Sequence, residues 1–238
     1  MANFSNLDYI AILNFIFIWF FYAAYARKMS EKRNSLMQIT KSLRLHWILK
    51  SVQNDSTNRI VDIQLMNLLQ RGVTFFISTT IFIIAGFIAV LGSGDIIVIL
   101  LSQLPYSANN ISTTWTIKII MIIIIFVVAF FRLTWSLRQN HYGAIAMVGA
   151  PQCKSEKKEE KYILANKVGS LITSSGDNFN NAIRIYYYSL ASLTWLFHPV
   201  VFIFTTMLVM LILYRREFLS RALENLTDVN NTYNSHSQ

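Results

Sequence analysis

The sequence predicts an all-α integral membrane protein, a helical bundle of about four transmembrane helices with amphipathic cytoplasmic helices between them. Of its 238 residues, 54% are hydrophobic and only 14% are charged, whereas a soluble domain usually carries about a quarter charged residues. The apolar residues are gathered into runs, and several runs reach the ~20 residues that a helix needs to cross ~30 Å of hydrocarbon. These observations indicate the class of protein before any motif is considered.

Four apolar runs are the predicted spans. They lie at about 7–26, 72–90, 117–137 and 190–214. A signal peptide has Lys or Arg before its apolar run, and the first run of this chain has neither. We therefore predict an uncleaved helix there. We expect a single membrane domain over 1–222 and a polar, disordered tail over 223–238, because that tail is rich in Asn and Ser.

The connections between the runs predict further helices. Ser35–Val52 has the pattern of an amphipathic helix that lies on the membrane surface, and Tyr162–Ile172 has a similar pattern. Arg59–Gln70 is helical and continues into the second span. Ile96–Leu104 is too short to span and is typical of an interfacial helix. Ser175–Asp177 predicts a break between helices.

Basic residues predict the orientation, because short Lys- and Arg-rich connections remain in the cytoplasm. Residues 27–71 and 138–184 are basic, whereas 91–116 contain no Lys or Arg. Four simple crossings therefore place the N-terminus, and also the C-terminus, outside.

Three arginines that follow the fourth run fit this orientation poorly. They are Arg215, Arg216 and Arg221. A turn at His198–Pro199 would make the fourth segment re-entrant and return the tail to the cytoplasm. We predict the simple crossing, because two short half-helices would leave backbone groups unsatisfied in lipid.

Charge and cysteine content limit the partners. The net charge of +9 lies in the connections, so we predict anionic lipid headgroups as a partner and no nucleic acid. A single cysteine, Cys153, cannot form an intrachain disulfide, and the four histidines lack the HExxH spacing. We therefore predict no cofactor, no metal and no catalytic residue, and an enzyme is the less favoured class. Asp8 and Lys118 lie at the outer ends of their spans, where interface anchoring explains both, and the tryptophans fit an aromatic belt.

His198 and Arg132 form the candidate intramembrane site. Pro199 cannot donate to the carbonyl of Trp195, so the helix should kink and leave that carbonyl near the imidazole. His198 is then either a proton or cation site, or a neutral side chain bonded to a neighbouring helix. Arg132 either extends to the headgroups or forms an internal ion pair, for which Asp62 is the nearest candidate; otherwise Asp62 is a solvated residue.

Four stretches of the chain are similar to a known family. They are RIVDIQLMNLLQ leading into FFISTT, then WSLRQNHYGAIAMVGAP, DNFNNAIRIYYYSLASLTWLFHP and LYRREFLSRAL. From about residue 7 to 222 the chain resembles the bacterial membrane proteins catalogued as domain of unknown function 599. His141 and Ile77 depart from the family pattern, which usually has Asn and a small residue there. The resemblance implies a multi-pass protein of the bacterial inner membrane and implies no activity.

The resemblance also directs attention to polar residues at the cytoplasmic ends of the helices. This candidate polar site comprises Asp62, Asn67, Arg138, Asn140, Tyr142, Asn180 and Arg184. The alternative is that these side chains fix helix packing and caps.

Three functions follow as hypotheses. The first is a non-catalytic membrane scaffold or accessory protein that binds another membrane protein or a second copy of itself. The second is a small transporter or channel subunit, and the third is a membrane-embedded enzyme that acts on a lipid.

Overall fold

The computed structural model describes residues 4–32, 35–53, 59–93, 111–149 and 158–235. These ranges contain no strand and form seven α-helices, so the predicted all-α class is confirmed. The helices are α1 (Asn6–Lys32), α2 (Leu36–Gln53), α3 (Arg59–Gly92), α4 (Ile111–Val148), α5 (Lys158–Leu193), α6 (Pro199–Phe218) and α7 (Arg221–Ser235). A short 3₁₀ helix, Thr194–Leu196, lies between α5 and α6.

Within the described ranges, four segments are long and apolar enough to cross a membrane. They are Asn6–Ala26, Ile60–Gly92, Thr114–Val148 and Pro199–Tyr233. The first three contain the spans predicted at 7–26, 72–90 and 117–137. As predicted, Arg59–Gln70 is helical and continues into the second span without a break.

Three predictions about the second half of the chain are wrong. The fourth apolar helix begins at Pro199 instead of residue 190, because α5 ends at Leu193. The break predicted at Ser175–Asp177 lies inside α5, which is continuous. The tail predicted to be disordered over 223–238 is helical as far as Ser235, because α7 packs against α2. The interfacial helix predicted at 96–104, Cys153 and residues 236–238 lie outside the described residues.

The chain divides into two compact units, where the sequence predicts one membrane domain. Unit 1 comprises Met1–Lys28, Ser78–Phe131 and Ala182–Tyr214. Unit 2 comprises Met29–Ile77, Arg132–Asn181 and Arg215–Gln238.

Unit 1 has an aromatic core contributed by α1, α5 and α6. Phe15 lies at the centre, with ring centroids 5.2 Å from Phe202 and 6.0 Å from Tyr188. The hydroxyls of Thr194 and Thr205 are 2.8 Å apart and join the end of α5 to α6. The last turns of α5 and residues 199–214 of α6 therefore form a helical hairpin that packs on α1.

Unit 2 has a smaller aliphatic core to which four helices contribute. Ile48 of α2, Met66 of α3 and Val168 of α5 are buried together, and Met147 of α4 packs against them. The predicted surface helix α2 is thus part of a protein core and does not lie on the membrane as an isolated amphipathic helix. It also packs against α7, where the rings of His46 and Tyr233 are 6.2 Å apart.

A contact between α2 and α6 bears on the predicted crossing. The backbone N–H of Met37 donates to Oε1 of Glu217 at 3.1 Å, so the start of α2 and the end of α6 lie on the same side of any bilayer. The chain between them must cross an even number of times. With one crossing each for α3 and α4, an α5–α6 hairpin that enters and returns would meet this condition. The simple crossing and the re-entrant turn both stay predictions.

Candidate functional site

A buried ion pair joins the starts of α1 and α4 in unit 1. Lys118 Nζ is 3.0 Å from Asp8 Oδ1, and the indole Nε1 of Trp195 donates to the same oxygen at 2.8 Å. Asp8 is only 5% exposed and Lys118 only 7%. We call these three residues the Asp8 clamp. The predictions that Asp8 and Lys118 are interface anchors and that Trp195 belongs to an aromatic belt are wrong, because all three are buried against one another.

The Asp8 clamp also binds the carbonyl that Pro199 releases. Lys118 Nζ donates to the carbonyl oxygen of Trp195 at 3.2 Å and lies 5.1 Å from the centroid of its ring. Proline has no N–H to satisfy that carbonyl, so the lysine replaces a helical hydrogen bond. The clamp thereby fixes the connection between α5 and α6 to two other helices. In the sequence, the signal for this cluster is the pair of opposite charges of Asp8 and Lys118, which are predicted to lie at the same depth in the membrane.

His198 lies at the N-terminus of α6 and not in the middle of a span. Its side chain is exposed, and its Nδ1 accepts the backbone N–H of Val200 at 3.2 Å. Its carbonyl accepts the N–H of Phe202 at 3.2 Å. His198 therefore caps α6, since a cap residue supplies an acceptor to the first free N–H groups of a helix. A proton or cation role for His198 stays a prediction.

A polar face of α5 lies inside unit 1. The hydroxyls of Tyr186 and Thr80 share a hydrogen bond, and Ser189 donates to the carbonyl of Tyr186 at 2.8 Å. The hydroxyl of Tyr188 is buried and has no hydrogen-bond partner among the described residues. The guanidinium of Arg184, one of the predicted site residues, lies 5.7 Å from the ring centroid of Tyr22.

A polar layer in unit 2 explains why α5 does not break at Ser175. Ser175 and Ser136 each donate to the other's carbonyl at 2.8 Å. Nδ2 of Asn178 donates to Oε1 of Gln139 at 2.7 Å, and Arg132 Nη1 donates to Oδ1 of Asn178 at 3.3 Å. These side chains bond to α4, and Asn178 Nδ2 also donates to the carbonyl of Ser174 one turn earlier at 2.9 Å. The contacts with α4 hold α5 together, so the helix continues through them.

Arg44 of α2 lies against Gly176 in the same layer. A Cβ atom at Gly176 would lie 1.8 Å from Arg44 Nη1, so a larger residue there would force the guanidinium to move. Burial lowers the pKa of Arg44, and the nearby Asp177 carboxylate opposes this shift. Gly169 accommodates Leu45 in a similar way, with an added Cβ 2.8 Å from Leu45 Cδ1. Two glycines thus let α2 approach α5 closely.

Asp62 is buried, so the prediction that it is a solvated residue is wrong. The side chain is 7% exposed, and its Oδ1 accepts the indole N–H of Trp47 at 2.6 Å. Its Oδ2 accepts a hydrogen bond from the hydroxyl of Ser51. The predicted Arg132–Asp62 ion pair is also wrong, because Asp62 binds α2, whereas the exposed Arg132 binds Asn178. Asp62 therefore holds α2 against α3.

The other predicted site residues differ in exposure. Asn67, Arg138 and Tyr142 are exposed, Asn180 is half-buried, and Asn140 is 3% exposed. All of these belong with Asp62 to unit 2, whereas Arg184 belongs to unit 1. Within the described part of unit 2 no hydrogen bond or ion pair joins two of them, so a shared binding site stays a prediction. In the described ranges no group of three His, Cys, Asp or Glu side chains is placed to hold a metal ion.

Comparison with known proteins identifies the family. The family model described as "Protein of unknown function, DUF599" matches residues 10–222, and the chain belongs to this family. The resemblance inferred from the four sequence stretches is thus confirmed. No curated protein and no solved structure matches the chain.

Proposed function

We propose that this member of the family is a non-catalytic membrane scaffold in which unit 1 anchors the chain and unit 2 binds a partner protein. In this proposal the membrane is the bacterial inner membrane, the N-terminus lies outside, and unit 2 lies in the cytoplasm. The uneven distribution of basic residues supports this orientation. Exposed basic side chains of unit 2 would contact anionic headgroups. They include Lys41, Lys50, Arg71, Arg138 and Lys167.

The observation that carries the proposal is the exposure of four large apolar side chains on unit 2, two at the end of α4 and two at the start of α5. Ile145 and Val148 at the end of α4 are 70% and 56% exposed, and Tyr162 and Ile163 at the start of α5 are 54% and 49% exposed. They alternate along the chain with residues such as Met147 that pack into the unit 2 core. We call these four residues the α4–α5 patch.

The position of the α4–α5 patch separates it from an ordinary lipid-facing surface. The apolar segment within α4 has 35 residues, or about 52 Å of helix at 1.5 Å per residue. A bilayer core covers only ~30 Å of this length, and the apolar run predicted to span ends near residue 137. Exposed clusters of large apolar side chains outside the hydrocarbon are typical of protein interaction sites.

The proposal is also supported by carboxylates of unit 2 that hold its helices together. Asp62 binds Trp47 and Ser51, and Glu217 caps the start of α2. Both carboxylates hold helices together. The interior of the unit therefore supplies rigidity, and the surface remains for binding.

Site-specific photo-crosslinking in cells tests the scaffold. A benzophenone amino acid at Ile145 or Ile163 should give one reproducible protein adduct, and Ile145→Glu should reduce recovery of that partner. Lys41, exposed on α2 of the same unit, is the matched control position and should give no such adduct. Equal adducts at all three positions, or lipid adducts alone, would contradict the proposal.

One observation favours the transporter subunit as a second candidate. The unpartnered hydroxyl of Tyr188 lies in the interior of unit 1 among the described residues, and buried polar groups without partners are rare. Liposomes that contain the protein should then collapse an imposed pH gradient faster than empty liposomes, and Tyr188→Phe should slow the collapse. Equal rates for protein-containing and empty liposomes would remove this candidate.

A further inference from the structure

We infer that unit 2 binds the phosphate of one anionic phospholipid at a site built around Arg132. The site comprises Arg132, Trp135 and Gln139 on α4 and Asn178 on α5, and we call these four residues the Arg132 site. The three α4 residues share one face of the helix, because residues three and four apart are neighbours on a helix surface. The inference goes beyond a general attraction between basic side chains and headgroups, and it holds whether or not the α4–α5 patch binds a protein.

Asn178 orients the guanidinium of Arg132. The Oδ1 of Asn178 accepts from Arg132 Nη1 at 3.3 Å, and its Nδ2 donates to Gln139 Oε1 at 2.7 Å. The same Nδ2 donates to the carbonyl oxygen of Ser174 at 2.9 Å, so both ends of the carboxamide are anchored. Because Asn178 is neutral, the contact positions Arg132 without neutralising its charge. An arginine that only extended to the headgroups would need no such support.

The groups that the Arg132 site offers to a ligand are hydrogen-bond donors. A guanidinium has five N–H groups and no acceptor, and the contact with Asn178 involves one of its nitrogens. Gln139 uses its oxygen for Asn178, which leaves its two N–H groups as donors. The indole of Trp135 has one N–H and no acceptor, and this side chain is 49% exposed. Donors beside a positive charge favour an anion, and the planar guanidinium fits the oxygens of a phosphate.

The depth of the Arg132 site favours a lipid phosphate over a soluble anion. Arg132 is exposed and lies about 7.5 Å of helix before the end of the apolar run predicted at 117–137. A long arginine side chain covers such a distance and brings its charge to the edge of the hydrocarbon. Trp135, about one turn further along α4, is a residue type that is enriched at this edge. A phospholipid presents its phosphate at this level with its acyl chains beside the apolar helix, whereas a soluble anion would have to leave water.

Native mass spectrometry of the delipidated full-length protein in mild detergent tests the ligand. Phosphatidylglycerol should bind with one molecule per chain. Diacylglycerol with the same acyl chains lacks the phosphate and should bind at least about tenfold more weakly, because hydrogen bonds between charged groups are lost. Inorganic phosphate in large excess should not displace the phospholipid. Equal binding of the two lipids would overturn the inference, and so would displacement by inorganic phosphate, which would indicate a site for a soluble anion.

Substitution of the central arginine tests the position of the site. Arg132→Gln should lower the affinity for phosphatidylglycerol at least about tenfold. Arg221→Gln is the matched control, because Arg221 is an exposed arginine of the same unit outside the Arg132 site and both variants remove one positive charge. A general attraction to anionic lipid would respond equally to both changes. Equal affinities of the two variants would therefore contradict the inference.

Asn178→Asp provides an independent measurement that leaves Arg132 in place. The new carboxylate would lie beside the guanidinium and compete with the phosphate, so the affinity for phosphatidylglycerol should fall. Melting temperatures in the same detergent separate a loss of lipid from a loss of folding, and Arg132→Gln decides the matter should Asn178→Asp unfold. A folded Asn178→Asp variant that binds phosphatidylglycerol as tightly as the wild type would contradict the inference.

Discussion

Asp8 in unit 1 is paired with a lysine, whereas Asp62 in unit 2 is bound by the neutral donors Trp47 and Ser51. The two carboxylates are almost equally buried, at 5% and 7% exposure, and each accepts an indole N–H. Burial alone therefore does not determine the partner. Asp8 lies in the unit that contains most of the apolar spans, where a charge has little solvent to stabilise it and needs a countercharge. This difference indicates that, of the two carboxylate contacts, the Asp8 clamp depends more strongly on charge pairing for its stability.

Loss of the countercharge should have the largest effect on stability. Lys118→Met leaves the Asp8 carboxylate buried without its ion-pair partner, and we expect a loss of about 3–5 kcal/mol in the free energy of unfolding. The measurement is unfolding of the detergent-solubilised protein by a denaturing detergent. The control is the double variant Asp8→Asn, Lys118→Met, which should recover part of the loss. A single variant as stable as the wild type would show that the ion pair contributes nothing.

A smaller effect is expected at the glycine that admits Arg44. Gly176→Ala forces the guanidinium away from α5, and we expect a loss of about 1–3 kcal/mol from this overpacking. Melting temperature in detergent, compared with that of Gly92→Ala, measures the effect. Gly92 has no described atom within 4 Å of an added Cβ, so its alanine variant should be close to neutral. Equal melting temperatures for the two variants would mean that α2 does not depend on this close approach.

The smallest effect is expected at the hydrogen bond between Trp47 and Asp62 in unit 2. Trp47→Phe removes one hydrogen bond to Asp62 but leaves the Ser51 bond, and we expect a loss of about 1.5 kcal/mol for a bond to a charged acceptor. The same unfolding assay checks it. Should Trp47→Phe destabilise the protein as much as Lys118→Met does, the contrast between the two carboxylates would be lost.

Features that depend on local composition were predictable from the sequence. The spans α1, α3 and α4 follow from apolar runs long enough to cross a bilayer, and the free carbonyl before Pro199 follows from the chemistry of proline. The lysine that binds this carbonyl was not predictable. Lys118 is far away in sequence, and the pairing of α4 with the α5–α6 connection exists only in the folded chain.

Two errors have the same physical origin. Ser175–Asp177 has the composition of a turn, and the residues after 222 have that of a disordered tail, yet both are helical. In each case, contacts with another helix stabilise a helical segment that the local sequence favours only weakly. Ser136 bonds to Ser175 on α5, and α2 packs against α7. Tertiary contacts thus override weak local propensity.

Labelling of single cysteines by a membrane-impermeant maleimide tests the central claim, which is that the α5–α6 hairpin returns the chain to the side on which it entered. In a Cys153→Ser background, Lys41→Cys and Glu224→Cys should react from one side of the membrane, and His198→Cys should react from the opposite side. Glu224→Cys that reacts together with His198→Cys, and not with Lys41→Cys, would contradict the account.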